Sequence, residues 1–216
     1  MTYDGVAQAF NQALTLLCNS AHSDLLGGIR RIEQGDELAL TGEECTQFRR
    51  SVARVRQASG AARRVARELL QSARAEPTWQ ICRQPSGAPG WPPGFVGSLS
   101  HDAEFAAALV APTKALRSVG IDIEPSTPLS PDLIDIIATP CEQAALKDLG
   151  LDPKILFCTK EAVYKASCAL DGKFLDFKDI EVCFKTQRAI IQEYYKVEIR
   201  ALASPRIVAL AFIAAT

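Results

Sequence analysis

Val119-Gly120-Ile121-Asp122-Ile123-Glu124 alternates apolar and polar residues up to Pro125, which is the pattern of a short β-strand. A period of two sends Asp122 and Glu124 out of one face and turns Ile121 and Ile123 toward a core. Two carboxylates on one face repel unless a cation sits between them, and hard oxygen ligands favour magnesium or calcium over zinc. Taken alone, the hexapeptide reads more simply as a solvated edge strand carrying two charges. Its surroundings decide between the two readings.

Downstream, a Pro-rich loop at 125–131 leads to an apolar helical turn over 133–138. Thr139-Pro140-Cys141-Glu142 is a capping box with proline at the first helical position, and Gly150 ends the short helix it opens. Asp152-Pro153 starts a further helix that Asp171-Gly172 stops. Its buried stripe contains Ile155, Leu156, Ala162, Val163, Ala166 and Leu170, and Phe157, Glu161, Lys165 and Cys168 form a neighbouring stripe. A Glu-to-Lys pair at i, i+4 is a common surface feature worth about 0.3–0.5 kcal/mol. Three β-branched or aromatic-rich segments, 177–184, 195–202 and 207–214, close the chain as antiparallel strands.

Upstream, apolar spacing over 6–17 predicts a packing helix. Thr41-Gly42-Glu43-Glu44 offers a capping box opening a helical run to about Ser72, with a bend at Gly60, where glycine costs ~1 kcal/mol relative to alanine. Eight arginines lie between Arg49 and Arg74. Most suit a solvated helix face, and one or two can clamp a phosphorylated ligand, because guanidinium forks match phosphate oxygens. Residues 84–94 are loop chemistry. Strands follow at 95–100 and 105–111, joined by the turn Ser100-His101-Asp102-Ala103-Glu104. Gly97 and Ser98 leave room for a flat ligand against the backbone. His101, one of two histidines, is either a hydrogen-bonding turn residue or a phosphate donor.

The 216 residues suit one domain or two small ones, and 48% hydrophobic with 23% charged residues describes an ordinary globular protein. A formal net charge of -1 gives no global field for nucleic acid or an anionic membrane, so anion binding must come from local clusters. Seven cysteines, an odd count with no Cys-x-x-Cys pair, predict reduced thiols in a cytoplasmic protein, mostly acting as small buried hydrophobes. Neither an export signal nor a membrane-spanning segment is expected, and no internal repeat is visible.

Three separated motifs stand in order: Gly97-Ser98-Leu99-Ser100-His101, the Asp122/Glu124 hexapeptide, and Phe157-Cys158-Thr159-Lys160-Glu161-Ala162-Val163-Tyr164-Lys165. From about Pro77 to the C-terminus the chain closely resembles the 4'-phosphopantetheinyl transferases, in particular the monomeric group related to the enterobactin-synthesis and surfactin-synthesis enzymes. The resemblance implies an α+β fold of two similar halves about a pseudo-two-fold axis, here 1–115 and 116–216, with the active site in the cleft between them. It further implies a cytoplasmic, monomeric enzyme of the holo-carrier-protein synthase type, serving routes such as siderophore or other secondary-metabolite synthesis.

The implied reaction is magnesium-dependent transfer of phosphopantetheine from coenzyme A to a serine of an apo acyl or peptidyl carrier protein, with release of adenosine 3',5'-bisphosphate. Neither nucleic acid nor membrane is an expected partner. By the same resemblance Asp122, Glu124 and Glu161 are the metal ligands, and water fills the coordination position beside Ile123, where some members carry a polar residue. Glu161, or a metal-bound water beside it, is the base, and Lys165 stabilises the leaving group. Arg56, Arg63, Ser100, His101, Lys160 and Lys165 are the coenzyme A contacts, with Arg63 resembling the 3'-phosphate arginine.

The chain departs from the family pattern at three places. Phe157 replaces a common tryptophan, Ser59-Gly60 replaces Gly-Arg, and Asp102 adds negative charge beside His101. Two rival readings use the same residues. One is a magnesium-dependent hydrolase or nucleotidyl transferase, and the other is a noncatalytic module that binds through the arginine-rich helix.

Overall fold

The computed structural model describes residues 3–75, 78–191 and 195–215. Pro77, where the resemblance begins, lies outside them. Helix α1 (Tyr3–Ala21) buries Phe10 and Leu14 of the stripe expected over 6–17, and Cys18 beyond it, while Ala9 is exposed, and it leads into strand β1 (Leu26–Arg31). The sequence pattern does not show β1, because the paired Gly27 and Gly28 weaken a strand signal. In the fold they admit close neighbours: a Cβ on Gly27 would collide with Cys18 Sγ, and one on Gly28 would press on Val65.

Thr41 and Glu44 form the expected capping box, with the Glu44 carboxylate accepting from the Thr41 amide at 2.9 Å. The helix they open is short. Helix α2 (Gly42–Phe48) stops, residues 49–52 turn, and α3 (Ala53–Ser72) begins afresh. The expectation of one run bending at Gly60 is therefore corrected on both points. Helix α3 passes unbroken through Gly60, where a Cβ would collide with the Asp36 carbonyl oxygen, so the glycine admits the 3-10 turn Asp36–Ala39 against the helix.

Strands β2 (Phe95–His101) and β3 (Phe105–Pro112) form a hairpin, and β1 pairs with the other edge of β3. This antiparallel sheet has the order β1-β3-β2. Val65, Ala66 and Leu70 of α3 cover one face through Ala108 and Val110. The other face, carrying Phe105, Ala107 and Leu109, shares a core with α1 and with the next sheet.

That sheet begins at β4 (Leu116–Glu124). Helices α4 (Pro131–Ile137), α5 (Pro140–Leu149) and α6 (Pro153–Asp171) follow, and then the 3-10 turn Phe177–Asp179. Strands β5 (Ile180–Cys183), β6 (Arg188–Ile191), β7 (Tyr195–Leu202) and β8 (Ile207–Ala214) complete it in the antiparallel order β4-β8-β7-β6-β5. The strand expected over 177–184 is thus part turn and part strand, and β6 is an unexpected addition. The fold is α+β, as the resemblance implied, with sheets of three and five strands.

Strand β8 is apolar without interruption because both its faces are covered. Val208, Leu210 and Phe212 join Ile121 and Ile123 in the α1 core, while Ala209, Ala211 and Ile213 face α6. Strand β4 lies at the sheet edge nearest β2, and the Ile121 amide donates to Ser98 Oγ at 3.1 Å across that seam. As the period of two requires, Ile121 and Ile123 point to the core and the even positions point toward α6. The Ser118 hydroxyl donates to the Ala166 carbonyl there.

A Cβ on Gly120 would collide with the Ala162 carbonyl oxygen and press on the Ala166 amide. Glycine at 120 therefore sets how closely α6, and with it Glu161 and Lys165, approaches Asp122. Gly120→Ala should cost about 1–3 kcal/mol by overpacking, read as a lower urea midpoint. An unchanged midpoint would show that α6 can retreat freely.

All seven cysteines are unpaired, but only Cys18 and Cys158 are buried. Cys45, Cys141 and Cys183 are exposed, which corrects the expectation that most serve as buried hydrophobes. Among the described residues, no helix is long and apolar enough to cross a membrane.

Candidate active site

Three side chains meet at the seam between the sheets. Lys165 Nζ donates to Asp122 Oδ1 at 2.7 Å, to the Ile121 carbonyl at 3.0 Å and to Ser100 Oγ at 3.1 Å. The Ser100 hydroxyl donates to the same Asp122 oxygen at 2.9 Å. Each element contributes by its own period: β2 delivers Ser100, β4 delivers Asp122, and α6 delivers Lys165 one turn beyond Glu161. Asp122 is only 6% exposed, and its other carboxylate oxygen, Oδ2, is buried without a hydrogen-bond partner. A buried oxygen left this way carries a desolvation cost that a ligand can relieve.

Glu124 and Glu161 flank this centre. Burial pushes both carboxyls above the usual range, and the Asp122 charge pushes them further. Lys154 Nζ lies 3.5 Å from Glu124 Oε2 and pulls the other way, and Lys165 does the same for Glu161. Among the described residues, no group of three or more His, Cys, Asp or Glu side chains converges closely enough to hold a metal ion as placed. The chemistry of the donors nevertheless suits magnesium. All are carboxylate oxygens, Asp122 raises the proton affinity of both glutamates, and one oxygen of the set is buried and unpartnered. Lys154, missed in the sequence, occupies the second position of α6 and reaches Glu124 only through the fold.

Beyond Ser100 the strand leads to a second, cationic hollow. Arg63, Arg83 and His101 line a cavity of about 150 Å³ with Phe48, Ser59 and Leu99. The Phe48 ring lies under both guanidinium groups, 4.6 Å from that of Arg63 and 5.3 Å from that of Arg83. Arg63 is buried, donates Nε to the Ile81 carbonyl at 2.9 Å and stands 3.7 Å from the Glu44 carboxylate. Burial draws its pKa down to about 10, against the pull of Glu44. Desolvation draws the His101 imidazole below its ordinary value, against a backbone group of Asp102.

Arg83 went unread in the sequence, although it directly precedes the Pro/Gly-rich loop. Backbone bonds from Arg83 to the Gln47 side chain, at 2.6 and 2.9 Å, lock it beside α2. Arg56 does not join the hollow: its Nη1 donates to the Ser51 carbonyl at 2.5 Å, securing the turn between α2 and α3.

A larger cleft of about 680 Å³ adjoins the hollow, sharing Gly87, Pro89 and Leu99 with it, and runs past Trp91 and Tyr164 to Lys165. The flat partner expected against Gly97 is internal. A Cβ at Gly97 would stand 2.5 Å from the Trp91 ring, so the indole fills that space.

Lys160 does not belong to the site. It is fully buried, and its ammonium donates to the Glu142 carboxylate at 2.8 Å and to the carbonyls of Ile137 and Phe177 at 2.8 and 2.9 Å. All three donors are spent beneath α4 and α5, which corrects its assignment as a coenzyme A contact. Burial lowers its pKa while Glu142 raises it. Lys160→Met strands the buried Glu142 charge and should cost about 3–5 kcal/mol, measured by urea unfolding. An unchanged midpoint would put Lys160 back among the site residues.

Residues 43–111 match the 4'-phosphopantetheinyl transferase N-terminal domain, and residues 118–207 match the 4'-phosphopantetheinyl transferase superfamily. The chain belongs to that superfamily. Among its relatives are the 4'-phosphopantetheinyl transferase PptT of Mycobacterium tuberculosis, 40% identical over 67% of this chain and 65% of that protein. The 4'-phosphopantetheinyl transferase Npt of Nocardia iowensis is 40% identical over 52% of each chain. Enterobactin synthase component D of Escherichia coli O157:H7 is 36% identical over 48% of this chain and 50% of its own. The matches thus span from about half to just under two thirds of the length of these relatives. The superfamily segment contains Asp122, Glu124, Glu161 and Lys165, and the N-terminal segment contains Arg63, Arg83 and His101.

Proposed function

We propose that this chain transfers the 4'-phosphopantetheine arm of coenzyme A to a serine hydroxyl of an apo acyl or peptidyl carrier protein, using magnesium and releasing adenosine 3',5'-bisphosphate. One juxtaposition carries the reading. Lys165, which holds Asp122 with its buried unpartnered oxygen, lines a cleft that adjoins a hollow walled by two arginines and a histidine. Coenzyme A has a pyrophosphate and a separate 3'-phosphate, and the two places differ in the way those groups require.

On this reading the hollow takes the 3'-phosphate on Arg63, Arg83 and His101. Asp122, Glu124 and Glu161 would hold magnesium, which when bound neutralises charge on the pyrophosphate oxygens. The carrier serine oxygen forms a bond to the phosphorus that bears the pantetheine arm, and the bond from that phosphorus to the bridging oxygen breaks. Glu161, whose proton affinity is raised by burial and by Asp122, accepts the serine proton, directly or through a water. Lys165 turns from Ser100 and Asp122 to donate to the departing phosphate oxygen.

Incubation with coenzyme A, magnesium chloride and a panel of apo carrier proteins tests the proposal. The expected result is a mass gain of one phosphopantetheine arm, abolished by a chelator. No gain on any carrier would overturn it. On the same reading the enzyme works as a cytoplasmic monomer, and analytical ultracentrifugation checks the oligomeric state.

A further inference from the structure

Asp102 follows His101 directly, so a carboxylate stands next to a hollow that suits an anion. Its Oδ1 accepts from the Glu104 and Phe105 amides at 2.7 Å each, closing the turn between β2 and β3. The other oxygen, Oδ2, is buried and has no hydrogen-bond partner. The side chain is only 5% exposed, and its charge reaches His101, where it opposes the lowering by burial, and Glu124, where it adds to the rise.

The compensating cation comes from the other sheet. Arg206, just before β8, places Nε 3.5 Å from Asp102 Oδ2 and Nη2 2.5 Å from Glu104 Oε1, with its guanidinium 5.4 Å from the centre of the Phe105 ring. One side chain thus neutralises the buried carboxylate and grips both ends of the turn that follows His101.

We propose that Arg206 is a positioning and specificity residue: it cancels the Asp102 charge and pins the β2–β3 turn, so that His101 faces the 3'-phosphate of coenzyme A without repulsion from its neighbour. The proposal rests on the reading of the Arg63/Arg83/His101 hollow as the 3'-phosphate site. An uncompensated Asp102 acts on a phosphate in that hollow and little on a ligand lacking one.

The test compares coenzyme A with 3'-dephospho-coenzyme A as donors. Arg206→Met should raise KM for coenzyme A about tenfold, the size of the repulsion between unit charges about 10 Å apart at an effective dielectric of about 20, while kcat and the dephospho-donor KM stay within about twofold. Removing the stranded charge in Arg206→Met/Asp102→Asn should restore KM for coenzyme A. Should Arg206→Met fail to fold, Arg206→Gln, which keeps a donor toward Asp102, carries the same comparison.

Equal losses on both donors, or no rescue by the double variant, would make Arg206 a structural residue only and overturn the proposal while leaving the transfer reaction standing. A wild-type enzyme that treats the two donors alike would instead remove the 3'-phosphate reading, and the proposal with it.

Discussion

Asp122→Asn is expected to reduce pantetheine transfer by on the order of a thousandfold or more, since a ligand to a catalytic cation supports several kcal/mol of charge stabilisation and each 1.36 kcal/mol is a factor of ten. The substitution changes little else. Asparagine keeps the shape and one acceptor oxygen for Ser100 and Lys165, which now meet at Asp122 Oδ1 at 2.9 and 2.7 Å. It removes the negative charge and turns the buried, unpartnered Oδ2 into an amide that cannot ligate a cation. Stability should fall modestly, by about 1–3 kcal/mol, because the buried amide nitrogen gains no acceptor and Lys165 loses its charged partner.

Two measurements separate the outcomes. Circular dichroism should match wild type, with only that modest drop in the urea midpoint, while single-turnover transfer to a carrier collapses. A variant that keeps wild-type turnover would remove Asp122 from the metal site and leave it a structural partner of Lys165. Asp122→Ala should also lose activity but is the poorer test, because it strips Lys165 and Ser100 of their shared acceptor.

The parts of this centre legible in the sequence are those governed by local period. The alternation 119–124 correctly puts Ile121 and Ile123 in the core and Asp122 on the opposite face, and the helical repeat correctly puts Lys165 one turn from Glu161. Capping boxes at Thr41 and Thr139 are visible because their partners lie three residues away.

What escapes the sequence is whatever a distant segment decides. Lys160 reads like a site residue, yet its acceptor Glu142 lies 18 positions away, and nothing local announces that pairing. Arg56 and Arg63 share one arginine-rich run, but Ser51 claims the first while the Phe48 ring and Glu44 fix the second. Arg83 enters the site through Gln47, 36 positions earlier. Strand β1 is hidden by glycines whose purpose is to admit helices that the strand's own pattern does not mention.

Lys165→Met should lower kcat by about 100- to 1,000-fold, the loss typical of removing one preorganised donor from a developing oxyanion, with a smaller rise in KM for coenzyme A. The argument starts from the resting contacts. An ammonium has three donors, and here all three are committed: to Asp122, to Ser100 and to the Ile121 carbonyl. Lys165 cannot reach a pyrophosphate without releasing at least one of them, and the contact to Asp122 is the one a divalent cation would replace.

On the proposed reading the lysine would hold the place of a cation on Asp122 and become available to the leaving phosphate when that place is taken. Methionine fills similar volume without charge, so the variant should bind manganese more tightly than wild type in the absence of coenzyme A, as titration calorimetry would read. Arginine should not rescue turnover. A planar fork cannot meet three acceptors arranged around one nitrogen. Normal kcat in Lys165→Met would mean that the leaving group needs no help from this side chain. Weaker manganese binding in the same variant would mean that Lys165 supports the carboxylate centre instead of competing for it.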